Sequence, residues 1–341
     1  KLLFGTSRHQ IFNYIESELN AITNTSDTNN CLSANGSDMY GRATLGAAYT
    51  LQAKLYLNAK VYTNTDNQEM YTKCITACKN VIAQGYSLES DYAKLFNADN
   101  HLRTNEIIFT LPVDATNTVS WGSSTYIVCG AVSNTSELQK PEDYGVKSGW
   151  GMFRVRGNIP ELFTGYENTD KRYMFFTTGQ SQDVEIIDDQ TNGYFVEKWT
   201  NLTDSKETAS NTADGGVNTD YPLFRLMIAE AFKRGGTGID ATTVVGYIND
   251  LQQRAYGDNS NNKTEDEITL SFILDERARE LYWEGYRRTD LIRYSLFTSN
   301  DYKWQWKGGV KEGTGVNDRY NIYPIPTTEL TANPNLYNEN Y

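Results

Sequence analysis

At 341 residues the chain is long enough to bury a large core, and 39% hydrophobic against 22% charged residues describes a folded protein. Its 43 acidic residues exceed 31 lysines and arginines, for a formal net charge of -12, and no basic block interrupts them; the electrostatic footprint of a nucleic-acid binder is missing. No apolar run is long enough to predict a membrane span, and the opening KLLFGTSRHQIF lacks the length and small-residue cleavage site of a secretion signal, so the chain is expected to carry no address of its own.

In chain order, Ile11, Ile15, Leu19 and Ile22 predict an amphipathic helix that runs out in the polar tract 23–30. Residues 41–62 predict a long helix rich in alanine and leucine. Residues 69–83 predict a second, with Tyr71, Cys74, Ile75, Cys78 and Ile82 inward. The small residues Ala47, Ala48 and Ala53 let a neighbour approach closely, as in one tetratricopeptide-like unit, although an ordinary helical hairpin reads the same way. Cys31, Cys74, Cys78 and Cys129 form no CxxC pair; Cys74 and Cys78, one helical turn apart, suit a buried stripe better than a disulfide.

Residues 105–220 show little helical period. Glu106–Leu111 and Gly193–Trp199 predict strands and loops dominate the rest, which is where a rigid frame displays binding groups. Trp121, Tyr126, Tyr144, Trp150 and Tyr166 lie there. Beyond it, residues 221–233 and 242–256 predict two helices split by Arg234-Gly235-Gly236-Thr237-Gly238. That breaker follows a helix rather than a strand and lacks the lysine of a phosphate loop.

Leu274, Ala278, Leu281 and Gly285 recur at helical spacing, with Glu276, Arg277, Arg279 and Glu280 on the remaining surface. Gly285 predicts the stop, and Thr289 or Asp290 the cap of a second short helix carrying Leu291, Ile292 and Tyr294. Glu276, Glu280 and Glu284 are the carboxylates a glycoside hydrolase would need. Arg277, Arg279, Arg287 and Arg288 stand a turn or less away, and nearby cations keep a carboxylate ionised, so these residues predict a structural salt-bridge network. His9 and His101 fit no metal-ligand spacing, and no GxSxG or Walker sequence occurs. No catalytic residue, metal or cofactor is expected.

Sugar binding is better supplied: aromatic residues make up 13% of the chain, with 24 Tyr and 6 Trp, and flat apolar rings suit the C–H faces of a pyranose. Trp121 and Tyr126, in the Gly/Ser-rich WGSSTY, are the leading platforms, followed by Tyr144 and Trp150. Trp304 and Trp306 in DYKWQWKGG share one side if that segment is a strand, and then form either a platform or a cover for the core beside Trp283.

Two motifs give a resemblance. Glu276-Arg277-Ala278-Arg279-Glu280-Leu281 with Glu284-Gly285, Arg287, Asp290-Leu291 and Arg293, then Tyr323-Pro324-Ile325-Pro326 with Glu329, Asn333-Pro334, Asn338 and Tyr341, resemble the C-terminal signature and closing motif of the SusD/RagB family of glycan-binding lipoproteins. Tyr92, Glu106-Ile107-Ile108-Phe109, Gly149-Trp150-Gly151, Asp170-Lys171-Arg172 and Arg225–Ala231 extend the similarity along the chain.

The resemblance implies a mostly α fold, with tetratricopeptide-type helical hairpins as scaffold and a loop-rich, short-strand ligand-binding part. Residues 1–341 then form one SusD-like domain: helical hairpins over 1–104, the loop-rich segment over 105–220, and C-terminal helices with the closing motif over 221–341. It also implies non-catalytic binding of an oligosaccharide or polysaccharide on the outer face of the outer membrane, and delivery to a SusC-like TonB-dependent transporter. Family members are longer at the N-terminus, with signal peptide, lipid-bearing cysteine and first helical repeats, so the lipid anchor is expected in a part absent from this chain. The WxWKGG run is similar to the starch-binding branch and suggests an α-glucan. Competing readings are a helical glycoside hydrolase and a protein-binding repeat scaffold.

Overall fold

The computed structural model describes residues 7–111, 123–135, 137–209, 218–220 and 224–337. Ten helices occur among them: α1 (Arg8–Ile22), α2 (Leu45–Leu57), α3 (Ala59–Thr63), α4 (Gln68–Ile82), α5 (Ser123–Gly130), α6 (Phe224–Lys233), α7 (Ala241–Tyr256), α8 (Leu270–Leu281), α9 (Arg287–Arg293) and α10 (Thr327–Ala332). Five short strands accompany them: β1 (Phe109–Leu111), β2 (Arg154–Val155), β3 (Phe175–Phe176), β4 (Tyr194–Val196) and β5 (Asn218–Asp220). The fold is mostly α, as the sequence predicts.

α2 packs on α1 and α4, α4 on α6, and α6 on both α7 and α8. Ala48 and Ala53 are buried in this stack, and Cys74 and Cys78 lie in it as free thiols beside Ile75 and Val81. The glycine-rich breaker has a packing role: a Cβ on Gly236 would stand 2.8 Å from Ile75 Cδ1 and 2.9 Å from the Tyr71 backbone, so only glycine lets the turn after α6 lie against α4.

Two predicted elements differ in detail. The helix expected over 41–62 begins at Leu45 and breaks at Asn58 (φ -96°, ψ 9°), whose side chain donates to the Lys54 carbonyl at 2.9 Å and accepts from Arg293 Nη1 at 3.1 Å. The break is thus held by a residue of α9. Thr289 and Asp290, the two residues expected to cap α9, both lie inside it; the helix starts after Tyr286 without a side-chain cap, and the Asp290 carboxylate pairs with Arg277 and Arg293 instead.

The loop-rich part has its own cores. β1 pairs antiparallel with β5, and β2, β4 and β3 form a three-stranded antiparallel sheet with β4 central. The strands are shorter than predicted: Glu106 and Lys198 turn away into buried ion pairs before and after them. Tyr92, Phe96, Val128, Val132 and Trp199 form one apolar cluster beneath the loops, and Val155, Phe163, Phe175 and Tyr282 another.

Candidate functional site

α5 places Tyr126 at the surface, 42% exposed, while Val128 and Cys129 anchor the same helix in the core. Residues 149–153 run alongside its end: Trp150 N–H donates to the Cys129 carbonyl at 2.8 Å, Gly151 N–H to Val132 at 2.8 Å, and Phe153 N–H to Gly130 at 2.8 Å. Gly149 lies directly against the Ser133 carbonyl, and Gly151 takes φ +61°, so the Gly-Trp-Gly sequence is a backbone clamp that fixes the Trp150 ring. Gly130 likewise leaves room for the Phe153 ring over the helix end. The Tyr126 ring meets Phe153 edge-on at 4.8 Å and Trp150 at 6.2 Å, and Phe153 reaches Trp283 at 6.3 Å. Met152, the residue before Phe153, is exposed. The result is a rigid aromatic cluster with one ring displayed, a geometry suited to stacking against a flat apolar face.

Of the aromatic residues predicted from sequence, Tyr126 and Trp150 therefore come together, and Trp121 lies outside the described residues. Phe153, which joins the cluster, was not expected from sequence; the signal available was its position just after the Gly-Trp-Gly clamp. Tyr144 is buried, its hydroxyl donating to the Glu197 carboxylate and accepting from Gln139 Nε2 at 2.9 Å. Its ring faces the core and offers no platform.

Trp304 and Trp306 are also separated. The segment is a turn rather than a strand, with Trp306 at φ +66°, so the alternation that would put both rings on one side does not operate. Trp306 Nε1 donates to the Val184 carbonyl at 2.9 Å, whereas Trp304 packs on Phe297 at 5.8 Å and Tyr302 at 6.3 Å.

The candidate carboxylates are buried. Arg172, fully buried, joins Asp170 (2.8 Å), Glu276 (2.6 Å) and Glu280 (3.0 Å), and Arg254 joins Glu106 (2.9 Å) and Glu280. A second group links Arg277 and Arg293 to Asp290, and Arg293 to Glu230 at 2.6 Å. Burial works against charge at Glu276, but the Arg172 and Arg279 guanidiniums outweigh it and hold the carboxyl at about 2. Glu284 corrects the expectation that every one of these acids is kept ionised by arginine. Its partner is Lys198, at 2.6 Å, and burial pushes its carboxyl up to about 7. The side chains of Glu276, Glu280 and Glu284 are 0%, 10% and 5% exposed. Among the described residues no group of three or more His, Cys, Asp or Glu is arranged to hold a metal ion, and no helix is long and apolar enough to cross a membrane.

The class defined by fold and site is a stacked-helix scaffold that displays an aromatic cluster from a loop-rich insertion. A sequence model of the SusD family matches residues 105–341, and the chain belongs to that family. It is 33% identical over 394 aligned residues to the starch-binding protein SusD of Bacteroides thetaiotaomicron, covering 97% of this chain and 65% of that protein. The chain thus spans just under two thirds of that relative's length. Its fold matches surface glycan-binding protein A from the same organism, in complex with laminarihexaose, with a TM-score of 0.70 at 21% identity, over 98% of this chain and 70% of that one. A SusD superfamily protein from Bacteroides fragilis matches with a TM-score of 0.70 at 18% identity, over 98% and 72%.

Proposed function

We propose that this protein binds oligosaccharide or polysaccharide without cutting it, at a site centred on Tyr126 and Trp150, with Trp121, outside the described residues, as a further candidate. The observation that carries this reading is the clamped aromatic cluster of Tyr126, Trp150 and Phe153, presented by a member of the SusD family. The burial and ion pairing of Glu276 and Glu280 support binding rather than hydrolysis, since a general acid must reach the scissile bond. Within this reading the protein sits on the outer face of the outer membrane, held by a lipid anchor outside these residues, and hands its ligand to a SusC-like TonB-dependent transporter. A starch-like α-glucan is the first sugar class to test, supported by the name of the 33% identical relative. Native affinity electrophoresis against a panel of polysaccharides tests the reading. Retardation by at least one glycan, lost in Tyr126→Ala, is expected; unretarded migration throughout the panel, or release of reducing sugar from it, overturns the proposal.

A further inference from the structure

A hollow of about 340 Å³ lies between the segment 162–166, α7, the loop 261–267 and α8, and it shares no residue with the Tyr126 cluster. Phe272, which lines it, stands near the start of α8, whereas Trp283, which touches the cluster, follows the end of that helix. At roughly 1.5 Å per residue the two places are about 15 Å apart. Tyr166, a ring of the loop-rich part that the first site leaves unused, is 42% exposed here and meets Tyr256 edge-on at 5.6 Å. The polar wall opposite is held from behind. Gln252 is 2% exposed, and its Nε2 donates to the buried Glu276 carboxylate at 2.7 Å. Only the amide nitrogen can do so, which fixes the amide and leaves Oε1 with no donor among the described residues. Arg279 donates from Nε to the other Glu276 oxygen at 2.9 Å and from Nη1 to the Leu162 carbonyl at 3.2 Å, so its Nη2 is left over in the same way. Lys263 is fixed by its backbone, which exchanges hydrogen bonds with the Asn249 side chain at 2.6 and 3.1 Å, while its ammonium has no hydrogen-bond partner among the described residues.

We propose that this hollow is a second seat for a neutral pyranose unit, stacked on Tyr166 with its hydroxyls on Gln252, Arg279 and Lys263. A hydroxyl both donates and accepts, so it suits a wall that mixes one free acceptor with free donors, and the rings supply the flat apolar face that a pyranose covers. A bare anion gains little: Glu276 pairs with Arg279, and Glu267 lines the hollow together with Lys263, so the two cations are balanced by two carboxylates. A peptide fits poorly as well. No lining residue belongs to a strand whose edge it could extend, and Leu162 is the single aliphatic side chain among them, so an apolar anchor finds no pocket. The proposal rests on the glycan reading for its ligand class, and not on Tyr126 for its place. With one displayed ring instead of a cluster this seat is the weaker of the two, and alone it does not retard the protein in an affinity gel.

Saturation-transfer-difference NMR, which detects weak binding, tests it in Tyr126→Ala with neutral trisaccharides of glucose, mannose, galactose and xylose as probes. At least one trisaccharide should give a signal in Tyr126→Ala and lose most of it when Tyr166→Ala is added. Tyr166→Phe, which keeps the ring, should retain the signal, and Lys263→Ala should weaken it; circular dichroism checks that each variant is folded. No signal from any trisaccharide in Tyr126→Ala, a signal undiminished by Tyr166→Ala, or an equal signal from trialanine overturns the proposal. Failure of the first site reads differently: affinity gels that stay blank beside a Tyr166-dependent signal would remove the Tyr126 site and leave this one.

Discussion

Lys198 and Glu284 form a buried ion pair at 2.6 Å, enclosed by the rings of Phe96, Tyr282 and Tyr92 at 4.4, 4.5 and 5.3 Å from the ammonium. Lys198 also donates to the carbonyls of Glu280 and Tyr282 at 3.1 and 2.8 Å, so it closes the end of α8. Glu284 is less well served: its second oxygen is buried without a partner among the described residues, and burial raises its carboxyl to about 7. In the unfolded chain the same carboxyl titrates near 4.5. Between those values the folded protein keeps a proton that the unfolded chain has released. The resulting stabilisation is fully present at the acid end and is lost as pH rises through 7. Glu276, held at about 2, acts in the opposite sense and weakens the fold only as pH falls below 4.5 toward 2. We predict that Glu284→Gln flattens the decline in stability between pH 5 and 7.5 by on the order of 1–3 kcal/mol. Tm profiles of both proteins across that range check it, and parallel profiles would refute the assignment.

Glu280 joins two arginines that come from different parts of the chain. Its oxygens accept from Arg172 at 3.0 Å and from Arg254, which ties α8 to α7 and to the loop-rich part. Glu280→Ala leaves both guanidiniums short of a buried counter-charge, and about 3–5 kcal/mol of stability should be lost. Urea unfolding measures the loss, and glycan affinity of the remaining folded protein should be unchanged. Intact stability with lost binding would place Glu280 in the ligand site instead.

The helices were legible because their apolar periods are long and regular: α4 and α7 fall within a residue of prediction. The break at Asn58 was not, because the group that holds it, Arg293, is 235 residues away in sequence. The same distance problem separates Tyr144 from Trp150. Both read as loop aromatics, and only the fold brings Glu197 and Gln139 to the Tyr144 hydroxyl while leaving Trp150 beside Tyr126. Trp304 and Trp306 were paired by strand alternation, a rule that fails once Trp306 takes a left-handed backbone. The charged signature of α8 was read correctly as structural. Its deepest partners, Arg172 and Lys198, were not assigned, since nothing local marks a cation that folding will bury.

Gly130 tests whether the aromatic cluster must be held as it is. A methyl group there would collide with the Phe153 ring, which would have to leave its place against Tyr126. Gly130→Ala should lower stability by about 1–3 kcal/mol and weaken glycan binding as well, because the platform shifts with the ring. Isothermal titration on the folded variant, beside Tyr144→Phe as a buried control with unchanged affinity, separates the two effects. Full affinity in Gly130→Ala would mean that the cluster is packing alone.

The last prediction concerns the sugar. An α-1,4-glucan coils, so its apolar faces follow a curve, whereas many β-linked chains present straighter faces. Tyr126 and Trp150 meet edge to face at 62°, so the pair presents no single flat platform. A pair of rings without one flat face fits a curved ligand better than a straight one, and Trp121, the third ring expected from the sequence, lies outside the described residues. We predict that a cyclodextrin binds, and that Trp150→Ala or Trp121→Ala weakens it by on the order of 1–3 kcal/mol. Titration against cyclodextrin and against laminarihexaose, the ligand named in the matched complex, decides between the classes. Binding of the β-linked chain alone would remove the α-glucan assignment and leave the site in place. Binding of neither, with the affinity gels also blank, would remove the site.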